Sequence, residues 1–311
     1  MWIRNNTDGR YLNKSRSCIS ECVGNRSFVD IENDPLFAGW VLREKTWLKK
    51  IFECTGDRLE SGSYSLGMDM DAYCMELAPL KMANFEVLDL YPELNLRFEI
   101  EKFRSRSHVY GALNIPQKRG FLFYGPPGTG KTTLIRDALL KLDCEYLGIF
   151  LSRCRPNNAI IASFNEDPRI KVYVLEELTE TFEDPSDLLE FLDGVQALHN
   201  SIVIATTNYP EKIAENIVNR PSRFDVLREI SYLDEFQVKR VLSFYLGEVE
   251  SDDVKELLAK LKGVNITFAH IKEICLQMLL YDVTLSQGFD TIKENIERVQ
   301  KRFKKSKLGF L

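Results

Sequence analysis

The pattern of apolar and polar positions divides the chain into three textures. From about residue 96 to 233, short apolar runs recur: FLFY (121–124), EYLGIFL (145–151), VYVL (172–175), SIVIATT (201–207) and VLREISY (226–232). Runs of this length, rich in β-branched and aromatic residues, predict strands buried on both faces. Between them TTLIRDALLKL and SDLLEFLDGV carry helical spacing. Strand and helix in alternation predict an α/β fold, a parallel sheet flanked by helices.

From about residue 234 the strands stop. DEFQVKRVLSFYLG predicts a helix with Asp234 as N-cap and Gly247 past its end. VKELLAKLKG, TFAHIKEICLQMLLYD and TIKENIERVQKRF follow, the last with Ile292, Ile296, Val299 and Phe303 on one stripe. Residues 234–311 therefore form a helical domain, ending in the basic run RVQKRFKKSK. Residues 1–95 are less regular. Segments such as RSFVDI and FEVLDLY are broken by the turn-rich SGSYSLGMDMD, and all three tryptophans (Trp2, Trp40, Trp47) lie here. This region is expected to be a small N-terminal α+β module that recognises a partner.

Composition narrows the class. The 311 residues are 44% hydrophobic and 28% charged, as in an ordinary soluble protein with more than one core. A net charge of -5 and a pI near 5.5 argue against a nucleic-acid coat. The C-terminal basic run leaves a nucleic-acid or acidic partner open, beside the plainer reading of a solvated helix end. Seven scattered cysteines, an odd number, point to reduced thiols and a cytoplasmic setting. Cys18 and Cys22 have no second ligand pair, so zinc is not expected. The opening MWIRNNTDGR is polar and no apolar run approaches ~18 residues, so neither a signal peptide nor a membrane span is expected.

The chemistry starts at GPPGTGKT, which follows the strand FLFY and opens the helix TTLIRDALL. That is G-x-x-x-x-G-K-[ST] in the context that gives it meaning. Gly125, Pro126, Pro127, Gly128, Thr129 and Gly130 form a loop whose amides wrap phosphates. Lys131 reaches the β- and γ-phosphates of ATP, the Thr132 hydroxyl ligates Mg²⁺, and Thr133 is expected to complete the nucleotide-binding loop.

Further on, KVYVLEEL ends an apolar strand in Glu176 and Glu177. The first acid is assigned to Mg²⁺ and the second to the attacking water, with two surface glutamates as the bland alternative. SIVIATTNYPEK places Asn208 after a further strand, as a sensor of the γ-phosphate or as a plain loop cap. In NRPSRFD, Arg220 and Arg223 are candidate arginine fingers for a neighbouring subunit's phosphate, or surface salt-bridge partners.

Phosphate loop, paired acids, ATTN strand, NRPSRFD and helical lid in this order resemble the AAA ATPase family over roughly residues 96–285. The approach FEIEKFRSRSHVYGALNIPQKRGFLFYGPPGTGKTT, with LLEFLDGV and IATTNYPEKI, is most similar to the branch of the mitochondrial translocase that inserts the Rieske iron–sulfur protein. The resemblance implies a five-stranded P-loop NTPase sheet, a four-helix lid and a homo-oligomer, usually a hexameric ring, with ATP between subunits. It also implies that GVNITFAHI sits at the lid with Ala269 near the base. The expected function is an ATP-driven remodeller of a protein partner, with a nucleotide-gated scaffold and, behind it, a nucleic-acid motor as alternatives.

Three departures stand out. The translocase has a membrane helix, which is not expected here. Glu-Glu replaces the usual mixed acid pair. The interval SRCRPNNAIIASFNEDPRI lacks the aromatic–aliphatic–glycine threading loop and has Phe164 as its one aromatic, so Arg153 and Arg155 are candidates for a polar pore or, equally, for a solvated loop.

Overall fold

The computed structural model describes residues 40–43, 46–49, 59–69, 74–82, 87–151, 158–182, 184–194, 198–220, 222–247 and 252–308. Arg153 and Arg155 lie outside the described residues, as does Trp2. Among the described residues nine strands run in chain order: β1 (Trp40–Arg43), β2 (Thr46–Lys49), β3 (Gly62–Asp69), β4 (Cys74–Pro79), β5 (Lys118–Tyr124), β6 (Tyr146–Leu151), β7 (Ile170–Leu175), β8 (Ser201–Thr207) and β9 (Val226–Glu229). The helices are α1 (Leu96–Ser105), α2 (Ser107–Leu113), α3 (Lys131–Leu140), α4 (Asn158–Asn165), α5 (Leu178–Thr181), α6 (Pro185–Asp193), α7 (Glu215–Val218), α8 (Glu235–Leu246), α9 (Asp252–Leu261), α10 (Phe268–Tyr281) and α11 (Leu285–Leu308).

All nine strands join one sheet in the order β1-β2-β4-β3-β6-β7-β8-β5-β9. Its centre is parallel: β3 pairs with β6, β6 with β7, β7 with β8, and β8 with β5. Every residue of β6, β7 and β8 is buried, as their unbroken apolar runs predict. After β5 the chain crosses to β6 on the far side of β7 and β8, then returns strand by strand. The carboxyl ends of β7, β8 and β5 therefore lie side by side, with Leu175 opposite Ala205 and Tyr124 opposite Thr207. Ligands of open α/β sheets bind at such strand ends.

The sheet is larger than the five strands expected. SGSYSLGMDMD is not a turn: Gly62–Asp69 is an eight-residue strand parallel to β6. Its serines suit the site. Ser61 Oγ takes the Tyr146 amide at 3.0 Å, and Ser63 Oγ meets the Tyr146 hydroxyl at 3.3 Å. Tyr64 and Leu66, two apart, supply the buried face. β4, β2 and β1 add antiparallel beyond it. Strands before residue 95 thus share the sheet of the phosphate-loop strand.

Among the described residues the chain forms two compact units. Of these residues, the first takes those up to residue 82, Asn95–Tyr124 and Leu134–Arg228; the second takes 87–94, Gly125–Thr133 and those from Glu229 onward. The second holds four helices, α8 to α11. α8 carries the Asp234 cap, with the Gln237 amide donating to Asp234 Oδ1 at 2.7 Å, and stops at Gly247, as its sequence predicts. Of the apolar stripe on α11, Ile292 is buried and Ile296 is exposed. Among the described residues no helix is long and apolar enough to cross a membrane.

Candidate nucleotide site

The loop GPPGTGKT leaves β5 at Gly125, and Gly125, Gly128 and Gly130 all take positive φ (141°, 77° and 95°). Gly128 is required twice over. Its φ suits a residue without Cβ, and an added Cβ would come 2.9 Å from that of Ala269. The loop is braced from the lid: the Ala269 amide donates to Gly128 O at 3.0 Å. Ala269, expected near a base, is placed against the loop backbone. Thr129 Oγ1 donates to Pro126 O at 3.0 Å, within the loop. Buried Lys131 donates through Nζ to Gly125 O and Pro126 O, both at 2.8 Å. To hold a phosphate, its ammonium exchanges these carbonyls for phosphate oxygens.

In the other unit, Glu176 and Glu177 follow β7 directly. Glu177 has φ 51°, a left-handed setting that costs a non-glycine residue about 1–3 kcal/mol and gathers at functional sites. The surroundings enforce it. The Glu177 amide donates to Thr206 Oγ1 at 3.1 Å, and its carbonyl accepts from the Glu180 and Thr181 amides. Its carboxylate is held from β8, with Asn208 Nδ2 on Oε1 at 2.6 Å and the Asn208 amide on Oε2 at 3.3 Å. The two residues assigned to water and γ-phosphate are brought together. Glu176 instead pairs with Arg136 on α3, Nη2 to Oε1 at 3.2 Å, with both side chains partly exposed.

The two arginines of NRPSRFD part company. The Arg220 side chain is 65% exposed and lies 3.5 Å from Asp193 Oδ2. Arg223 is buried, with Nε on Asp193 Oδ2 at 2.7 Å and Nη1 on the Asn216 carbonyl. The turn that carries them is clamped to β5. Asp225 Oδ2 accepts from the Gly120 amide at 2.8 Å, and a Cβ at Gly120 would fall 1.9 Å from the Arg223 carbonyl oxygen. Asp193, at the end of LLEFLD, is a partner that the arginine spacing did not reveal.

Phe164 is not available to grip a polypeptide. It is buried, its ring 6.1 Å from that of Tyr173. Two further residues escaped sequence reasoning: Tyr91, whose hydroxyl donates to Thr129 O at 3.3 Å, and His270, whose Nδ1 accepts from the Thr267 amide at 3.2 Å. A tyrosine before a proline and a histidine three residues into a helix carry no chemical signature of their own.

Thr132 and Glu176 offer oxygen donors only, the chemistry that suits a hard cation such as Mg²⁺, which keeps waters and phosphate oxygens for its other positions. Among the described residues no group of three or more His, Cys, Asp or Glu could hold a metal unaided.

Residues 121–232 match the family model described as "ATPase family associated with various cellular activities (AAA)". An AAA-ATPase of Arabidopsis thaliana is 28% identical over 230 residues, 66% of this chain and 51% of its own length. The probable mitochondrial chaperone bcs1 of Schizosaccharomyces pombe is 27% identical over 57% of this chain and 43% of its own. The probable mitochondrial chaperone BCS1-B of Dictyostelium discoideum is 26% identical over 56% and 47%. The chain spans about half the length of these relatives. Residues 121–232, the stretch that matches the AAA family model, hold the phosphate loop, the paired acids, Asn208 and both arginines.

Proposed function

We propose that the chain is a Mg²⁺-dependent ATP hydrolase whose copies assemble into a ring and use turnover to remodel a protein partner. The observation that carries this reading is the Glu177 carboxylate held by Asn208 at the ends of β7 and β8, beside the strand that runs into GPPGTGKT. The loop amides and Lys131 hold the β- and γ-phosphates. Thr132 and Glu176 hold Mg²⁺, which when bound neutralises charge on the phosphate oxygens. Glu177 takes the proton of the attacking water, and Asn208 fixes the carboxylate for that task. Arg220, exposed on a clamped turn, serves the phosphate of the next copy. Two relatives are named chaperones, which supports a protein client, and the region before residue 95 is proposed to recognise it. The free thiols of Cys144 and Cys275 suit the proposed cytoplasmic setting.

One observation favours a second reading, a nucleotide-gated scaffold with slow hydrolysis. The Glu176 carboxylate is engaged by Arg136, so metal and arginine compete for it. Steady-state ATP hydrolysis beside size-exclusion light scattering decides between the two. Glu177→Gln should keep ATP binding and lower turnover ~10²-fold or more. Arg220→Ala should lose turnover by about 10³-fold, the scale of an arginine finger. Wild-type turnover in Glu177→Gln would put the base elsewhere. Negligible turnover of the unmodified chain, with assembly driven by ATP, would replace the remodeller with the scaffold.

A further inference from the structure

Residues 87–94 belong to the same compact unit as the phosphate loop and the lid helices. Leu90 and Tyr91 are buried there, and a 3₁₀ turn, Pro92–Leu94, closes the segment. The segment is fixed locally. The Tyr91 amide donates to Asp89 Oδ1 at 3.2 Å, and the Leu94 amide to Tyr91 O at 2.8 Å. It is also tied at two distant points. The Tyr91 hydroxyl donates to Thr129 O at 3.3 Å, in the loop. One residue earlier, Leu90 O accepts from Gln237 Nε2 at 3.0 Å. Gln237 is committed at its other end, since its Oε1 takes the Asp234 amide at 3.1 Å in the cap of α8. Hydrogen bonds therefore run from the first turn of α8, through Leu90 and Tyr91, to a loop carbonyl two residues before Lys131.

The consequence follows from peptide geometry. In a planar trans peptide the carbonyl and the amide point in opposite directions. Gly128 O is taken by the Ala269 amide and Thr129 O by Tyr91, so the amides of Thr129 and Gly130 are turned the opposite way. An anion-binding loop needs its consecutive amides held on one side. A phenylalanine at position 91 would bury the same ring. The hydroxyl adds direction. A phenol is protonated at neutral pH and burial only raises its pKa further, so the hydroxyl is a donor.

We propose that Tyr91 is a positioning residue for the phosphate loop, setting the Gly130 amide for phosphate, and that Gln237 ties this setting to the start of α8. The proposal rests on reading the loop as an ATP site. At 3.3 Å the Tyr91 bond is longer than the usual hydroxyl contact.

The test uses the full chain and its Tyr91→Phe, Gln237→Ala and doubly substituted forms. ATP with Mg²⁺ is titrated by calorimetry, turnover is followed, and amide hydrogen exchange is measured without nucleotide. Tyr91→Phe should weaken ATP binding and raise KM by about fivefold, the size of one hydrogen bond, with kcat unchanged. Amides 128–131 should exchange faster, while those of β7 and the melting temperature hold. In the double variant the two effects on affinity should fall short of their sum. Unchanged affinity and unchanged loop exchange would overturn the proposal. So would a lower melting temperature with loop exchange and affinity preserved, the mark of a merely structural tyrosine. A wild-type chain that fails to bind ATP would sink the ATP reading itself, and exchange in the nucleotide-free chain would still report on the brace.

Discussion

Tyr173 lies in the middle of β7, edge-on to Phe164 and Phe191 with ring centroids at 6.1 and 5.5 Å. Its hydroxyl is fully buried and, among the described residues, is the one buried side-chain polar atom without a hydrogen-bond partner. Leaving such a group unsatisfied costs about 1–3 kcal/mol. Tyr173→Phe removes the oxygen and keeps the ring, so it should stabilise the chain by about 1 kcal/mol. A rise in the urea midpoint at constant slope would show it, whereas a fall would mean the hydroxyl has a partner in solution. Single residues also mark the limit of what sequence reveals about the site. The positions of Glu177 and Asn208 were legible because each follows a strand marked by an apolar run. Tyr91 was not, since its acceptor is a main-chain carbonyl 38 residues away. Nor was the burial of Arg223, which depends on Asp193, 30 residues back on α6.

At the scale of elements, α10 starts with a cap that titrates. The Thr267 amide and hydroxyl both meet His270 Nδ1, at 3.2 and 3.0 Å, and the amide needs that nitrogen unprotonated. Desolvation lowers the His270 pKa below its usual 6.5, so the folded chain binds protons less readily than the unfolded chain. The stabilisation is therefore complete above 6.5 and is lost as pH falls through the lower folded value. A proton would also add positive charge at a helix N-terminus, against the dipole. Acidification below neutral pH should thus lower the protection of amides 267–269, measured against their intrinsic exchange rates at each pH. His270→Gln keeps a side-chain acceptor at this position of the box and should flatten that dependence. A slope unchanged in His270→Gln would assign it to another group. The lid helices were readable because caps and apolar spacing are local. β3 was not, because glycine and serine in GSYSLGMD signal a turn until β6 is there to pair with them. Non-local pairing, rather than composition, makes that segment a strand.

For the whole molecule, the proposed ring assigns different parts to Arg220 and Arg223. Arg223 is spent within its own chain on Asp193 and Asn216, while Arg220 faces outward from a turn clamped to β5. In the proposed ring, a head-to-tail interface would give each copy's phosphate loop an arginine from one neighbour. Two lesions then complement. Lys131→Ala disables a subunit's own loop but leaves its arginine, and Arg220→Ala does the reverse. Each variant alone should be inactive. Mixed in equal amounts and allowed to exchange, one interface in four joins an intact loop to an intact arginine, so roughly a quarter of wild-type turnover should return. Arginines acting within their own chain would leave the mixture as inactive as its components, because no single subunit carries both groups. Arg223→Ala is the control. Its loss removes the shortest partner of Asp193, which keeps Lys118 and Arg220 nearby, and a side-chain donor on the Asn216 carbonyl. Its defect should therefore appear as lowered stability, about 1–3 kcal/mol, before any effect on the neighbour.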